Sequence, residues 1–260
     1  MNPRPTLAVI LAAGRGIRFG RAGQDQPKGF IVLGRETLIS RSIKLLQSHG
    51  ISEIVIVTGH CREHYEQLAR AHPSLIRLVH NPIYANSGSL ASLQVAREII
   101  DGRPYLLLES DLIYESAAIE VVLNHPDESV LLVSGPTGSG DEVYVTAQNG
   151  QLSALTKISA KLKAPPLGEL VGITKIGSRF AKHLDHVTGQ KLSNTNHVEY
   201  EEALVTAARK AALTCHLISD LVWSEIDNDL HLTRAQSEIL PRLLSLDSAS
   251  AGSIQTSGTS

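Results

Sequence analysis

Leu7-Ala8-Val9-Ile10-Leu11-Ala12-Ala13-Gly14-Arg15-Gly16-Ile17-Arg18-Phe19-Gly20 is followed a few residues later by Pro27-Lys28. The apolar run Leu7 to Leu11 stops abruptly in small residues and glycines. The loop after it carries Arg15, Arg18, Arg21 and Lys28. Glycines let backbone N–H groups approach an anion, and the basic side chains neutralise it. A buried strand opening into a cationic glycine loop predicts phosphate binding and points to a nucleotide enzyme. The bland alternative is a tight strand-to-helix turn, but a plain turn has no use for so many cations.

Two other glycine motifs fit poorly. A P-loop requires G-x-x-x-x-G-K-[ST], and no Lys-Ser or Lys-Thr follows these glycines. The dinucleotide fingerprint G-x-G-x-x-G accepts Gly14 and Gly16 but places Phe19 where its third glycine belongs. Glu36 stands near the distance expected of a ribose-binding acid, so a dehydrogenase stays open as a weaker reading.

Bulk properties narrow the class. The chain has 260 residues, 42% hydrophobic and 19% charged, as in an ordinary soluble globule. A net charge of −2 gives no global attraction to nucleic acid or to an anionic membrane. Two cysteines, Cys61 and Cys215, are too few for a disulfide framework, so a reducing cytoplasm is expected. Arg4 before the apolar start faintly imitates a signal peptide, but cleavage there would remove the first strand and its loop. No apolar run is long enough to span a bilayer, so no membrane insertion is expected. The sequence does not report oligomeric state, and a homodimer stays open.

Along the chain, continuous apolar strands alternate with helix patterns. Strands are predicted at Leu7–Leu11, Glu53–Thr58, Ile76–His80, Tyr105–Glu109 and Ser129–Ser134. Helices are predicted at Thr37–Ser48, Glu63–Arg70, Ser89–Ile100 and Ala117–Leu123. Such βα units predict a mostly parallel sheet with helices on both faces. The pattern then changes to an α+β elaboration. Glu142–Ala147 and Leu152–Ile158 flank Asn149-Gly150, a strong hairpin signal. Leu170–Ile176, Leu213–Ile218 and Leu221–Ile226 read as strands. Ser178–His186, Tyr200–Ala211 and His231–Leu244 read as helices. Residues 1–244 are expected to form a single domain. Residues 245–260, rich in Ser, Ala, Gly and Thr, are expected to be a disordered tail.

Ligands of open α/β sheets sit beyond the carboxyl ends of the strands. Here those ends carry the glycine loop, His80-Asn81-Pro82, Glu109-Ser110-Asp111 and Glu225-Ile226-Asp227-Asn228-Asp229. Asp111 and Asp227 each follow an apolar run. They suit Mg²⁺, which takes one or two carboxylates plus substrate phosphates. Helix capping or a solvated turn is the plain alternative for each, and Asp229 could replace Asp227. Glu109 is predicted to point to the same side as Asp111. Ser87-Gly88-Ser89 precedes a helix and offers hydroxyls and N–H groups to a base or phosphate, or simply caps that helix.

Together these residues resemble the signature of nucleotidyltransferases with a GT-A-like, Rossmann-like α/β fold. Within that group the chain is similar to the small cytidylyltransferases that act on 2-aminoethylphosphonate or phosphocholine. The supporting stretches are His80–Tyr84, Leu107–Tyr114, Ser134–Tyr144 and Trp223–Asp227, and the resemblance covers Leu7 to Leu232. The loop departs from the family pattern at Gly23-Gln-Asp25-Gln26, where a threonine-rich approach to Pro-Lys is usual.

The resemblance implies CTP as nucleotide, Mg²⁺ as cofactor and a small phosphonate or phosphate as second substrate, with pyrophosphate released. Leu11, Ala12, Ala13, Gly14 and Gly16 would contact the nucleotide, and Arg18 and Lys28 would hold its triphosphate. Ser87, Gly88 and Ser89 would lie near cytosine and ribose, and Asp111 and Asp227 would hold the metal. Lys157 is a candidate for the phosphonate. Asp141, Glu142, Glu169, Glu199, Glu201 and Trp223 are candidates for a substrate amine. Aromatic residues make up only 4% of the chain, which disfavours a quaternary-ammonium cage. A sugar- or polyol-phosphate nucleotidyltransferase is the nearest alternative. A non-catalytic nucleotide-binding module is a further one, and it has no need of two metal acids.

Overall fold

The computed structural model describes residues 4–16, 26–162 and 164–255. Strand β1 (Leu7–Ala12) is buried at every position. It pairs in parallel with β4 (Glu53–Thr58) on one side and β6 (Tyr105–Glu109) on the other. Beyond β4 lies β5 (Ile76–His80), also parallel. On the far side of β6, β11 (Gly168–Ile176) runs antiparallel both to β6 and to β8 (Val130–Ser134). β12 (Thr214–Ile218) lies parallel to β8. β10 (Gln151–Thr156) and β9 (Tyr144–Gln148) complete a nine-stranded sheet. The two-faced α/β architecture is the one the sequence predicts. The sheet itself is mixed, because the second half of the chain enters it through antiparallel β11 and the β9–β10 hairpin.

Alternation along β1 shows why both faces are covered. Leu7, Val9 and Leu11 join one apolar cluster, with Leu90, Phe180, Leu184 and Leu204. These come from α3 (Ser89–Val95), α6 (Ser178–Leu192) and α7 (Tyr200–Ala208). Ala8, Ile10 and Ala12 join the other, with Ile39, Ile43, Tyr65 and Ile119. These come from α1 (Leu38–Ser48), α2 (Arg62–Ala71) and α5 (Ala117–Asn124). Successive strand side chains point to opposite faces, so a strand buried on both reads as an unbroken apolar run.

Local chemistry explains two of the boundaries. Thr37, at the end of the short hairpin β2 (Val32–Leu33) and β3 (Glu36–Thr37), caps α1 by accepting from the Ser40 N–H at 3.2 Å. Asn149 and Gly150 both have positive φ, 51° and 77°, the type I′ geometry that Asn-Gly favours.

Three expectations are corrected. The helix predicted over Ser89–Ile100 is two pieces, α3 and α4 (Arg97–Ile100), broken at Ala96. The Ala96 N–H bonds to the Leu93 carbonyl, a tighter three-residue step. The strand predicted over Leu221–Ile226 is the three-residue β13 (Trp223–Glu225). It lies outside the main sheet and pairs antiparallel with β7 (Leu112–Tyr114). The last helix is three segments: α8 (Asp229–Arg234), a π turn at Ala235–Ile239, and α9 (Leu240–Gln255). Pro241 has no N–H to donate back, and a wider turn just before it relieves the clash with the preceding carbonyls. Helix α9 also continues past Ser245, where composition predicts a disordered tail. Leu243 is fully buried, and Arg41 holds Asp247 at 3.0 Å, which anchors the helix beyond that point.

Candidate active site

The registers of β1 and β6 set the site. Leu11 lies opposite Glu109, so the two strands finish side by side, and the Ser110 N–H donates to the Leu11 carbonyl at 3.2 Å. The glycine loop and the Glu109-Ser110-Asp111 turn therefore open into one space. This is a cleft of about 580 Å³ lined by Leu11 to Gly16, Lys28, Tyr84, Ser87 to Ser89, Glu109, Asp111, Glu225 and Asp227. Among these, Gly16 adopts φ +60°.

Asp227 reaches the cleft by another route. β13 pairs with β7, and the Ile226 N–H donates to the Asp111 carbonyl at 2.9 Å. A third apolar cluster, including Leu33, Ile113, Val222, Ile226 and Leu243, holds this segment in place. Backbone pairing thus brings Asp111 and Asp227 together, as their candidacy as metal ligands requires. Lys28 lies between them on a short turn after Pro27, with Nζ 2.7 Å from Asp111 Oδ2 and bonded also to Asp227 Oδ1. Burial opposes the Lys28 charge, but the two carboxylates outweigh it and hold its pKa well above the usual lysine range.

The acids outnumber this one cation. Carboxylate oxygens of Glu109, Asp111 and Glu225 lie within 4.8 Å of one another. Burial, reinforced by Asp111, pushes Glu109 up to about 8. Burial, with Asp111, Glu109 and Asp227 nearby, pushes Glu225 up to about 10. Crowded carboxylates retain protons when too little positive charge faces them. This donor set consists of hard oxygens alone, and it fits a divalent cation such as Mg²⁺.

The Ser87-Gly88-Ser89 turn lines the cleft but is partly committed elsewhere. Ser89 donates from both N–H and Oγ to Glu199 Oε2, at 2.9 and 2.5 Å, and accepts from the Tyr200 N–H at 2.8 Å. Gly88 lies against the Val198 backbone with no room for a Cβ. Ser87 Oγ accepts from the fully buried Asn81, which also donates to Ser92. Glu199, a sequence candidate for a substrate amine, lines the cleft and binds the N-terminus of α3. Arg18 lies outside the described residues.

A second, smaller cavity of about 80 Å³ adjoins the cleft, and Glu109, Lys157, Glu201 and Glu225 line both. It collects the sequence candidates Asp141, Glu142, Lys157, Glu169, Glu201 and Trp223. Lys157 Nζ lies 3.2 Å from Asp141 Oδ1. Burial opposes its charge, yet Asp141 raises its pKa overall. The Gly140 N–H, at 2.8 Å, holds Glu142 below the usual carboxylate range. Burial pushes Glu201 up to about 7. Tyr200 donates its hydroxyl to Glu109 Oε1 at 2.6 Å. Sequence reasoning missed Tyr200 and His231. The Glu-x-Asp spacing of Glu225 and Asp227, parallel to Glu109 and Asp111, was the available signal for Glu225.

Residues 8–191 match the profile of the MobA-like NTP transferase domain. The chain belongs to this family. Among curated relatives of this MobA-like domain, CMP-5'-(3-aminopropyl)phosphonate synthase of Streptomyces rubellomurinus is 29% identical over 86% of the chain. The chain spans only 37% of that protein's length. The 2-aminoethylphosphonate cytidylyltransferase of Lancefieldella rimae is 22% identical over 87% of the chain and 90% of its own length. Among solved structures, the inositol-1-phosphate CTP transferase from T. maritima superposes with a TM-score of 0.78 at 16% identity. That match covers 94% of this chain and 97% of that one. At that identity the likeness speaks for the fold. No helix among the described residues of the MobA-like chain is long and apolar enough to cross a membrane.

Proposed function

We propose that the chain is a Mg²⁺-dependent cytidylyltransferase that joins CTP to a small aminoalkyl phosphonate, such as 2-aminoethylphosphonate, and releases pyrophosphate. One observation carries this reading: a cavity lined by acids, with Lys157 and Arg234 as cations among the described residues, adjoins the cleft that holds Asp111 and Asp227. Lys157 faces the anionic head of the second substrate, and Glu201 faces its ammonium. The named relatives from Streptomyces rubellomurinus and Lancefieldella rimae support an aminophosphonate.

In the proposed reaction a phosphonate oxygen attacks the α-phosphorus of CTP. A new P–O bond forms as the bond to the β-phosphate oxygen breaks. The nucleophile is already anionic near neutral pH, so no protein base is required, and rate comes from positioning and charge neutralisation. Asp111 and Asp227 would hold Mg²⁺, which polarises the α-phosphate. Lys28, and Arg18 by its place in the sequence, would neutralise charge on the departing pyrophosphate. The backbone of Leu11 to Gly16 and the Ser87–Ser89 turn flank the nucleotide.

The test is pyrophosphate release with CTP, UTP and GTP, each offered aminoethylphosphonate, aminopropylphosphonate, phosphocholine, glucose 1-phosphate and inositol phosphate. Turnover is expected with CTP and an aminoalkyl phosphonate. Preference for a sugar or polyol phosphate overturns the reading.

A further inference from the structure

We propose that His231 is a positioning residue that tethers the loop over the second cavity to the backbone of Asp227. His231 is 6% exposed and stands in the first turn of α8. The Asp227 N–H points at its Nδ1 at 3.4 Å, and its Nε2 lies 3.1 Å from the Ser139 carbonyl. An Nδ1 that accepts leaves the ring proton on Nε2, where it can donate to Ser139. One imidazole therefore spans the site, from the metal acid's own peptide to the loop.

In that loop, Gly135 to Val143, two glycines flank the tethered Ser139. Gly138 and Gly140, on either side of Ser139, have φ of +64° and +89°, and open space surrounds both, with no atom within 4 Å of where a Cβ would stand. Other contacts also hold it. Thr137 donates from N–H and Oγ1 to Glu169 Oε2 at 3.0 and 2.7 Å, Asp141 meets Lys157 at 3.2 Å, and the Leu170 N–H donates to the Val143 carbonyl at 2.8 Å. Glu169, Lys157 and Leu170 are walls of the second cavity. The His231 contact runs instead to the segment carrying Asp227. A shift of the Asp227 backbone on nucleotide loading is thereby passed to Ser139, and the loop's closure over the second substrate follows the state of the first site. The consequence for substrate binding rests on the reaction proposed above, whereas the tether itself does not.

Hydrogen exchange of the ligand-free chain, compared between wild type, His231→Ala and His231→Gln, tests the tether directly. The glutamine amide keeps an N–H at a reach similar to Nε2. Amides of residues 137–141 should exchange about fivefold faster in H231A, the change expected for one lost buried hydrogen bond. They should return toward wild type in H231Q, with β1 and β6 protected equally in all three. Steady-state kinetics form the second arm. In H231A the KM for the aminoalkyl phosphonate should rise about fivefold while that for CTP stays within about twofold. Equal loop exchange in wild type and H231A overturns the proposal, as does an equal rise in both KM values. The exchange arm uses no substrate, so it decides the tether even where the substrate panel fails.

Discussion

Asp111 and Asp227 meet on a single ammonium, that of Lys28, which precedes them in the chain by 83 and 199 residues respectively. Three distant segments thus converge on one point of charge. The lysine satisfies two acids that would otherwise repel, and in the proposed reaction it meets the triphosphate of the nucleotide.

Replacing Asp111 or Asp227 by Asn should lower turnover by on the order of 10²–10³, the scale at which one preorganised electrostatic contact contributes. Pyrophosphate release at saturating CTP measures this. Near-wild-type rates in both variants would remove them from the chemistry.

Lys28→Ala should reduce turnover on a similar scale, about 10²–10³. It also removes the ammonium that the two inward-facing acids share, so the ligand-free melting temperature should fall. Added Mg²⁺ should restore more of that loss in K28A than it adds to wild type, as thermal melts with and without the ion would show.

Glu201 supplies a pH signature. Its pKa is raised to about 7 by burial, whereas an unfolded glutamate titrates near 4.5. The folded state therefore binds the extra proton, and its contribution is fully present below the unfolded value. It is lost as pH rises through about 7. Wild type should lose stability relative to Glu201→Gln across that range, and denaturant midpoints taken from about pH 5 to 8 would reveal it. Over the same range the KM for an aminoalkyl phosphonate should fall in wild type and stay flat in E201Q.

Glu199→Ala removes the carboxylate that receives both donors of Ser89. It should cost about 1 kcal/mol of stability, as loss of a helix cap does. Chemical denaturation measures that cost, and a weakened CTP affinity should accompany it.

Much of the architecture was legible because burial on two faces writes an unbroken apolar run, as in Leu7–Leu11 and Glu53–Thr58. Asn149-Gly150 announced its turn because both residues tolerate positive φ. Asp111 was readable for the same reason, standing just past an apolar strand. Asp227 was found on that pattern too, although its strand belongs to a separate two-stranded ribbon that no local periodicity distinguishes from the main sheet. The break at Ala96 and the π turn before Pro241 depend on tertiary packing. Glu199 and His231 act across contacts between distant segments, to Ser89 and Ser139, and single-residue spacing carries no trace of those.

The short ribbon of β7 and β13 has a consequence for where the working unit ends. Asp227 lies beyond the stretch 8–191 that matches the family profile, yet its place is fixed by the bond from the Ile226 amide to the Asp111 carbonyl. A fragment trimmed to the matched stretch would keep the glycine loop but lose Asp227, one acid of the proposed cation site, together with Glu199 and Tyr200, which hold Ser89. The C-terminal third is a component of the proposed catalytic apparatus, and transplanting this site onto another scaffold would mean carrying that ribbon along whole.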